Sequence, residues 1–372
     1  MTKLILPDYN NSIVNLACSI RKYFDLNYNH NTLKIVDDIL EEKKPKNVVV
    51  ILFDGMGSKL LKEKLNKKSF LLKHLSAEIS SVVPSTTTAS TTSMLTGLTP
   101  KEHGWLGWDI YIKPIDKIVT MFTNEEKDTH EKVSEESVSK KYFPYNKITD
   151  LINHNGKYYA NIISPYEKDS YDNIDDMFNT IRDNLNKKEK NYIYGYYINP
   201  DEIMHMEGTD SENTTEVFQM INQKVEEFSL NLKDTLLIVV ADHGHINSSE
   251  IVLSHYKDIF DLLDGNIWLE GRMTTFKIKQ GKAKEFEKLF NKYFSNDFIL
   301  KTKEEVINEN LFGTGKKTKY FMDSLGDYFA LAIGDKYFKY NNCSHQYKSN
   351  HAGFTYDEMK IPLIIIDKTN KN

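Results

Sequence analysis

Three aspartates and three histidines stand where a site for chemistry could be assembled. Asp54 follows the apolar run VVVILF, Asp201 and His205 follow YGYYINP four residues apart, and Asp242 and His243 follow LLIVVA. His351 sits in NHAG, shortly before IPLIIID. Each has an ordinary explanation alone: an Asp after a strand turns the chain or caps a helix, and a single histidine is commonly structural. Asp242-His243 resists that explanation, because a polar pair directly abuts a run that should be buried. Taken together, carboxylates and imidazoles without a nearby cysteine suit zinc or manganese, in a hydrolytic site rather than a structural one.

A second stretch, VVPSTTTASTTSMLTG (82–97), raises the question of a nucleophile. Hydroxyl-rich runs are usually solvated linkers. This one follows a strand-like EISSVV ending at Pro84, and a short helix is expected from about Thr88 to Leu95. The hydroxyls at 85–88 then lie at a helix N-terminus, where free backbone N–H groups and the dipole favour an anion. A hydroxyl there attacks effectively only if its alkoxide is stabilised, which a divalent cation does by coordination. The residues alone leave open which hydroxyl that is.

These groups need a scaffold that gathers them. Short apolar runs at 47–55, 192–201, 235–244 and 361–367, with a weaker one at 157–164, read as buried strands of parallel type. Helical patterns at 58–75, 172–188 and 214–232 alternate with them, implying a parallel sheet with helices on both faces. In such a sheet ligands bind beyond the carboxyl ends of the strands, so the aspartates and histidines would converge on one rim. Residues 123–141, almost wholly polar, read as an exposed loop. Residues 270–340 read as a small α+β cap inserted into a core formed by 1–269 and 341–372. No internal repeat is present.

Hydrophobic residues at 40% and aromatics at 12% suffice for a packed core and argue against wholesale disorder. A net charge of −5 argues against a protein that coats nucleic acid. Cys18 and Cys343 supply neither a disulfide framework nor a thiolate metal knuckle. The first twenty residues lack the apolar stretch of a signal peptide, and no run is long enough to span a membrane, so a cytoplasmic, soluble protein is expected.

PSTTTASTTSMLTGLTPKEHG, with FDGMG before it and PDEIMH, ADHG and NHAG after it, resembles the alkaline phosphatase superfamily. Within it, the likeness is to the type I phosphodiesterase/nucleotide pyrophosphatase branch, related to phosphonoacetate hydrolase. The motifs recur in the family's order over roughly 50–365. The resemblance implies an α/β alkaline-phosphatase-like core and a hydrolase of phosphoric ester or phosphoanhydride bonds with two divalent cations, zinc or alternatively manganese. It implies that Asp54, Asp242 and His243 hold one cation, which also contacts the nucleophile, and that Asp201, His205 and His351 hold the other. Counting the family's Pro-x-x-Thr/Ser pattern from Pro84 assigns the nucleophile to Thr87, acting through a phosphothreonine intermediate. Ser90 stands where the diesterase branch usually has a phosphate-binding Asn, and is carried over as a substrate contact.

The expected substrate is a small phosphate ester, with a nucleotide among the candidates. Trp105, Trp108 and Tyr111 could stack on a base or pack the core. His103 is expected in a structural turn, and His245 and His255 match no ligand motif. A phosphomonoesterase or phosphonate hydrolase would use the same site with extra cationic groups; Arg272 is the one arginine near the start of the cap. A binding protein that has lost catalysis is the alternative of another class, and retention of all six ligands and a hydroxyl at 87 speaks against it.

Overall fold

The computed structural model describes residues 4–342 and 346–369, so Cys343 lies outside it, while Cys18 is buried and free. The apolar runs form a six-stranded sheet in the order Leu75–Ser80, Lys360–Lys368, Thr235–Val240, Asn47–Phe53, Asn191–Tyr197, Tyr159–Ile163. Asn47–Phe53 and Thr235–Val240 are buried at every position, as expected for central strands covered on both faces. Helices Ile13–Tyr23, Ile174–Asp183 and Glu212–Leu230 are amphipathic and pack their apolar faces into the same core. The helical pattern at 58–75 is realised as two pieces, Ser58–Lys64 and Phe70–Lys73.

The four strands at 47–53, 159–163, 191–197 and 235–240 are parallel, as anticipated. The last strand is not. Lys360–Lys368 runs antiparallel to both of its neighbours, pairing Leu363 with Val240 and Lys368 with Thr235. An apolar strand buried on both faces looks the same in either direction, so composition could not reveal this. The reversal matters for the site. It puts the beginning of this strand at the rim where the parallel strands end, and with it the preceding loop that carries His351.

A second, antiparallel sheet has the order Phe298–Thr302, Tyr328–Ala332, Met273–Phe276, Trp268–Leu269, Asp109–Ile112, Lys117–Thr120, Glu125–Glu126. The 270–340 unit therefore shares its sheet with the chain that follows the hydroxyl-rich helix, and the two together form a layer beside the rim. The polar stretch 123–141 contributes the edge strand Glu125–Glu126 and the helix Val138–Tyr142. Asn124 organises its base: its amide donates to the carbonyls of Ser134 and Glu136, and its Oδ1 accepts from the N–H of Val138. Among the described residues no helix is long and apolar enough to cross a membrane.

Candidate active site

Each site residue is placed by the end of an element. Asp54 is the first residue after the 47–53 strand, and the turn continues through Gly55 with φ of +73°. A side chain on Gly55 would press within 3.1 Å of His245, Met204 and the backbone of Asp201. Glycine there both permits the left-handed turn and lets the loops close together. Asp201 opens the helix Asp201–Glu207, so His205 lies one turn on, on the same face. Asp242 and His243 leave the 235–240 strand in a loop where a Cβ on Gly244 would fall 1.9 Å from the carbonyl oxygen of Asp357. That approach fastens the Asp242–His243 loop to the segment after His351.

The six residues gather as two adjoining groups. Asp54, Asp242 and His243 form the first, with ligand atoms mutually within 4.8 Å. Asp242 Oδ1 accepts from the N–H of Gly55 and of His243, whereas Oδ2 is buried and has no hydrogen-bond partner. A buried carboxylate oxygen without a partner is costly unless a cation takes that place. Tyr196 OH donates to Asp54 Oδ2 and fixes that carboxylate from behind. The second group contains Asp201, His205 and His351, and adds His245.

Electrostatics follow from this crowding. Burial, and then the charge of Asp201, push the Asp54 carboxyl above its ordinary range. Burial, and then Asp54, do the same more strongly to Asp242. Burial disfavours an imidazolium at His243, but Asp242 and Asp54 outweigh it and raise the ring to about 10. His243 thus supplies, in this structure, a positive charge between two carboxylates. At Asp201 burial is overcome by His205 and His245, which hold the carboxyl well below its usual value. Burial lowers His245 to about 4 against the pull of Asp201, and burial and His243 lower His351 strongly. Carboxylates beside imidazoles are the donor set that zinc or manganese takes.

Thr87 begins the helix Thr87–Thr96. Its Oγ1 lies 3.4 and 3.3 Å from the two oxygens of Asp54 and 3.2 Å from Nε2 of His243. Most of the other hydroxyls of the stretch are occupied, although Thr88 Oγ1 is buried without a hydrogen-bond partner. Those of Thr91, Thr92 and Thr96 donate to the carbonyls four residues earlier, at Thr87, Thr88 and Thr92. Ser85 donates to the carbonyl of Gly353 and Thr86 to Glu270. Ser90 has a different place from the one carried over. It is fully buried beneath the site, donating to the carbonyl of Asp242 at 2.9 Å and bonded to Ser81 Oγ at 2.7 Å. Its short side chain reaches the Asp242 backbone rather than the cleft, so it braces a loop instead of facing substrate.

A cleft of about 640 Å³ opens over Thr87, Asp201, His205 and His351 and runs outward between the two sheets. Trp108 lines it and is 44% exposed, whereas Trp105 is buried with its ring N–H donating to the carbonyl of Phe143. Tyr111 hydrogen-bonds Asp116 and packs against Trp268, apart from the cleft. Arg272 does not enter the cleft. It is buried in a bidentate pair with Glu358 and also donates to the carbonyls of Gly334 and Lys336. His103 is buried, accepts from the N–H of Trp105 and is pulled to about 3 by burial, in keeping with a structural turn. His255 is exposed and bonds Asn342 outside the site.

Two residues of the site escape sequence reasoning. His245 carries a faint signal, two positions beyond His243, but the loop's path is needed to aim it at Asp201. Glu270 carries none. It reaches the cleft because the second sheet places it beside Thr86 and Trp108.

A mostly parallel sheet flanked by helices, with paired carboxylate–imidazole groups at its rim and a hydroxyl at a helix start, defines an enzyme of the alkaline phosphatase superfamily. The fold agrees with solved structures. Murine ectonucleotide pyrophosphatase/phosphodiesterase 5 is similar with a TM-score of 0.65 and 19% identity, covering 85% of this chain and 87% of that one. An inactive form of the murine protein in complex with AMP gives 0.64 and 18% over 85% and 87%. Phosphonoacetate hydrolase from Sinorhizobium meliloti, in complex with phosphonoformate, gives 0.63 and 14% over 86% and 90%. No curated protein sequence matches. The family model for type I phosphodiesterase/nucleotide pyrophosphatase matches residues 48–311, and the chain belongs to that family. It is a hydrolase acting on phosphoester bonds.

Proposed function

We propose that this hydrolase is a metal-dependent phosphodiesterase that cleaves through a phosphothreonine at Thr87. The observation that carries the reading is the position of Thr87 Oγ1, within 3.2–3.4 Å of Asp54 and His243 at the floor of the cleft. In this reading Asp54, Asp242 and His243 hold one divalent cation, and Asp201, His205 and His351 the other, with zinc favoured over manganese. When bound, the two cations supply Lewis-acid stabilisation of the attacking and leaving oxygens of an in-line displacement.

Thr87 gives its hydroxyl proton to solvent as Oγ forms a bond to phosphorus and the bond to the leaving oxygen breaks, and the departing alkoxide takes up a proton in turn. Water then adds to phosphorus, the Oγ–P bond breaks, and a phosphomonoester leaves as Thr87 regains its proton. The N–H groups of the first turn of the Thr87–Thr96 helix have no intrahelical partner and favour a phosphoryl group there.

A diester is favoured because the cleft offers little for a second phosphoryl charge. Arg272 is committed to Glu358, and the lining lysines Lys127 and Lys339 are paired with Asp109 and Glu250 at 2.8 and 2.9 Å. A planar leaving group is favoured by Trp108 at the cleft wall, continued outward by exposed Phe122 and Tyr166 in ring contact.

Turnover of bis-p-nitrophenyl phosphate should exceed that of p-nitrophenyl phosphate, and a chelator should abolish it. Thr87→Ala should lower kcat by roughly three orders of magnitude or more while leaving metal content unchanged. If Thr87→Ala keeps most of its activity, the nucleophile is elsewhere; if the monoester is the better substrate, the diesterase reading is wrong.

A further inference from the structure

His245 is the residue that the two-cation reading leaves without a role. It is buried against Asp201, His205 and His351, and the three imidazole rings surround one carboxylate oxygen. Ring centroids are 4.7 Å apart for His205 and His245, 5.0 Å for His245 and His351, and 5.2 Å for His205 and His351. Nε2 of His245, His205 and His351 lie 2.5, 3.5 and 3.9 Å from Asp201 Oδ1.

The far side of each ring fixes its tautomer. His205 Nδ1 meets the carbonyl of Ser349 at 2.8 Å and His351 Nδ1 the carbonyl of Ser85 at 3.3 Å. A carbonyl only accepts, so both rings carry a proton on Nδ1, and in the neutral ring the Nε2 lone pair turns inward. His245 Nδ1 meets Ser349 Oγ at 3.0 Å, and that hydroxyl spends its own proton on the carbonyl of Met204 at 2.7 Å. Ser349 Oγ therefore accepts from His245, and this ring too is protonated on Nδ1. Three Nε2 lone pairs then face one carboxylate, with the His245 lone pair nearest. Acceptors facing acceptors in a buried place require something positive among them. Outer partners that orient imidazoles in this way are the usual support of metal ligands.

We propose that His245 is a fourth protein ligand of the cation held by Asp201, His205 and His351, closing that site with three imidazoles and one carboxylate. The inference rests on the two-cation reading above. Four nitrogen and oxygen donors complete the tetrahedral shell that zinc prefers, the arrangement of a closed site rather than one with a vacant position. A cation there would be held more tightly than three ligands would hold it. Gly55 leaves the space in which the His245 ring is seated, 3.0 Å from the position of a Cβ there.

A crystal structure of the full chain loaded with zinc, with the ion located by anomalous scattering, tests this directly. His245 Nε2 should lie about 2.0–2.1 Å from the ion, like the Nε2 atoms of His205 and His351. In competition with a chromophoric chelator, His245→Ala and His245→Phe should each weaken zinc binding at one of two sites by about tenfold or more. His205→Ala should weaken the same site, while the other keeps its affinity. An ion on Asp201, His205 and His351 with His245 Nε2 beyond about 3 Å would overturn the fourth-ligand assignment and leave the two-cation reading standing. No ion at Asp201 at all would overturn both.

Discussion

At the scale of single residues, Glu270 shows what the second sheet does to the reaction centre. Its Oε1 accepts from Thr86 Oγ1 and from the N–H of Trp108, each at 2.7 Å, so one carboxylate ties the residue before Thr87 to the cleft wall. Burial raises this carboxyl from 4.5 to about 7, although both hydrogen bonds oppose the shift. The sign of the consequence is determined. Between pH 4.5 and 7 the folded chain holds a proton that the unfolded chain has lost, so stability falls as pH rises through that window and is level above it. Glu270→Gln keeps an acceptor for both donors and removes the charge. Its melting temperature relative to the parent should therefore climb between pH 5 and pH 8; a constant difference across that range would refute the assignment. Nothing in WLEGR marks Glu270, because its neighbours come from residues 86 and 108 and only the sheet brings them together. The aspartates and most of the histidines were legible for the opposite reason: Asp54, Asp201, Asp242 and His243 abut apolar runs and His205 sits one helical turn on, whereas His351 was marked only by NHAG.

At the scale of elements, two features were read in outline and completed by the structure. The hydroxyl-rich stretch is a helix, as its flanks suggested, but most of its hydroxyls are satisfied within the chain and only the first helical position faces the rim. The Lys360–Lys368 strand was evident from its apolar run, whereas its direction depends on the connection from the second sheet, which no periodicity encodes. That connection is held by Arg272 and Glu358, both fully buried and bonded bidentately at 2.6 and 2.9 Å. Glu358 also accepts from the N–H of Gly353 and the hydroxyl of Thr355, so the pair anchors the loop two residues after His351. Removing one partner leaves an uncompensated buried charge, which typically costs about 3–5 kcal/mol. Arg272→Met should destabilise by that order in denaturant unfolding. The double variant Arg272→Met/Glu358→Leu should recover part of the loss. Equal instability of the single and double variants would show that packing rather than the unpaired charge sets the cost.

At the scale of the whole molecule, the two sheets meet at the rim, and the sequence boundary expected at 270 is crossed by the pairing of Trp268–Leu269 with residues 274 and 275. Residues on both sides of that boundary thus belong to one sheet, and the cleft runs along its junction with the six-stranded sheet. Asp54, Asp201 and Asp242 lie together at that junction, and burial disfavours the charged forms of Asp54 and Asp242 there. Cations that bind only the folded chain offset this by mass action, at about 2.7 kcal/mol per site for a hundredfold excess over Kd. The unfolding entropy of a chain this long makes that a rise of roughly 3 °C in Tm per occupied site. Zinc added to chelator-treated protein should therefore raise Tm in proportion to the sites filled. Asp242→Asn should lose the share belonging to the Asp54 group, and His205→Ala the share belonging to the Asp201 group. The two losses should add, because in the two-cation reading each variant removes a ligand from a different cation. A shift that survives both substitutions together would place the stabilising cation elsewhere on the molecule.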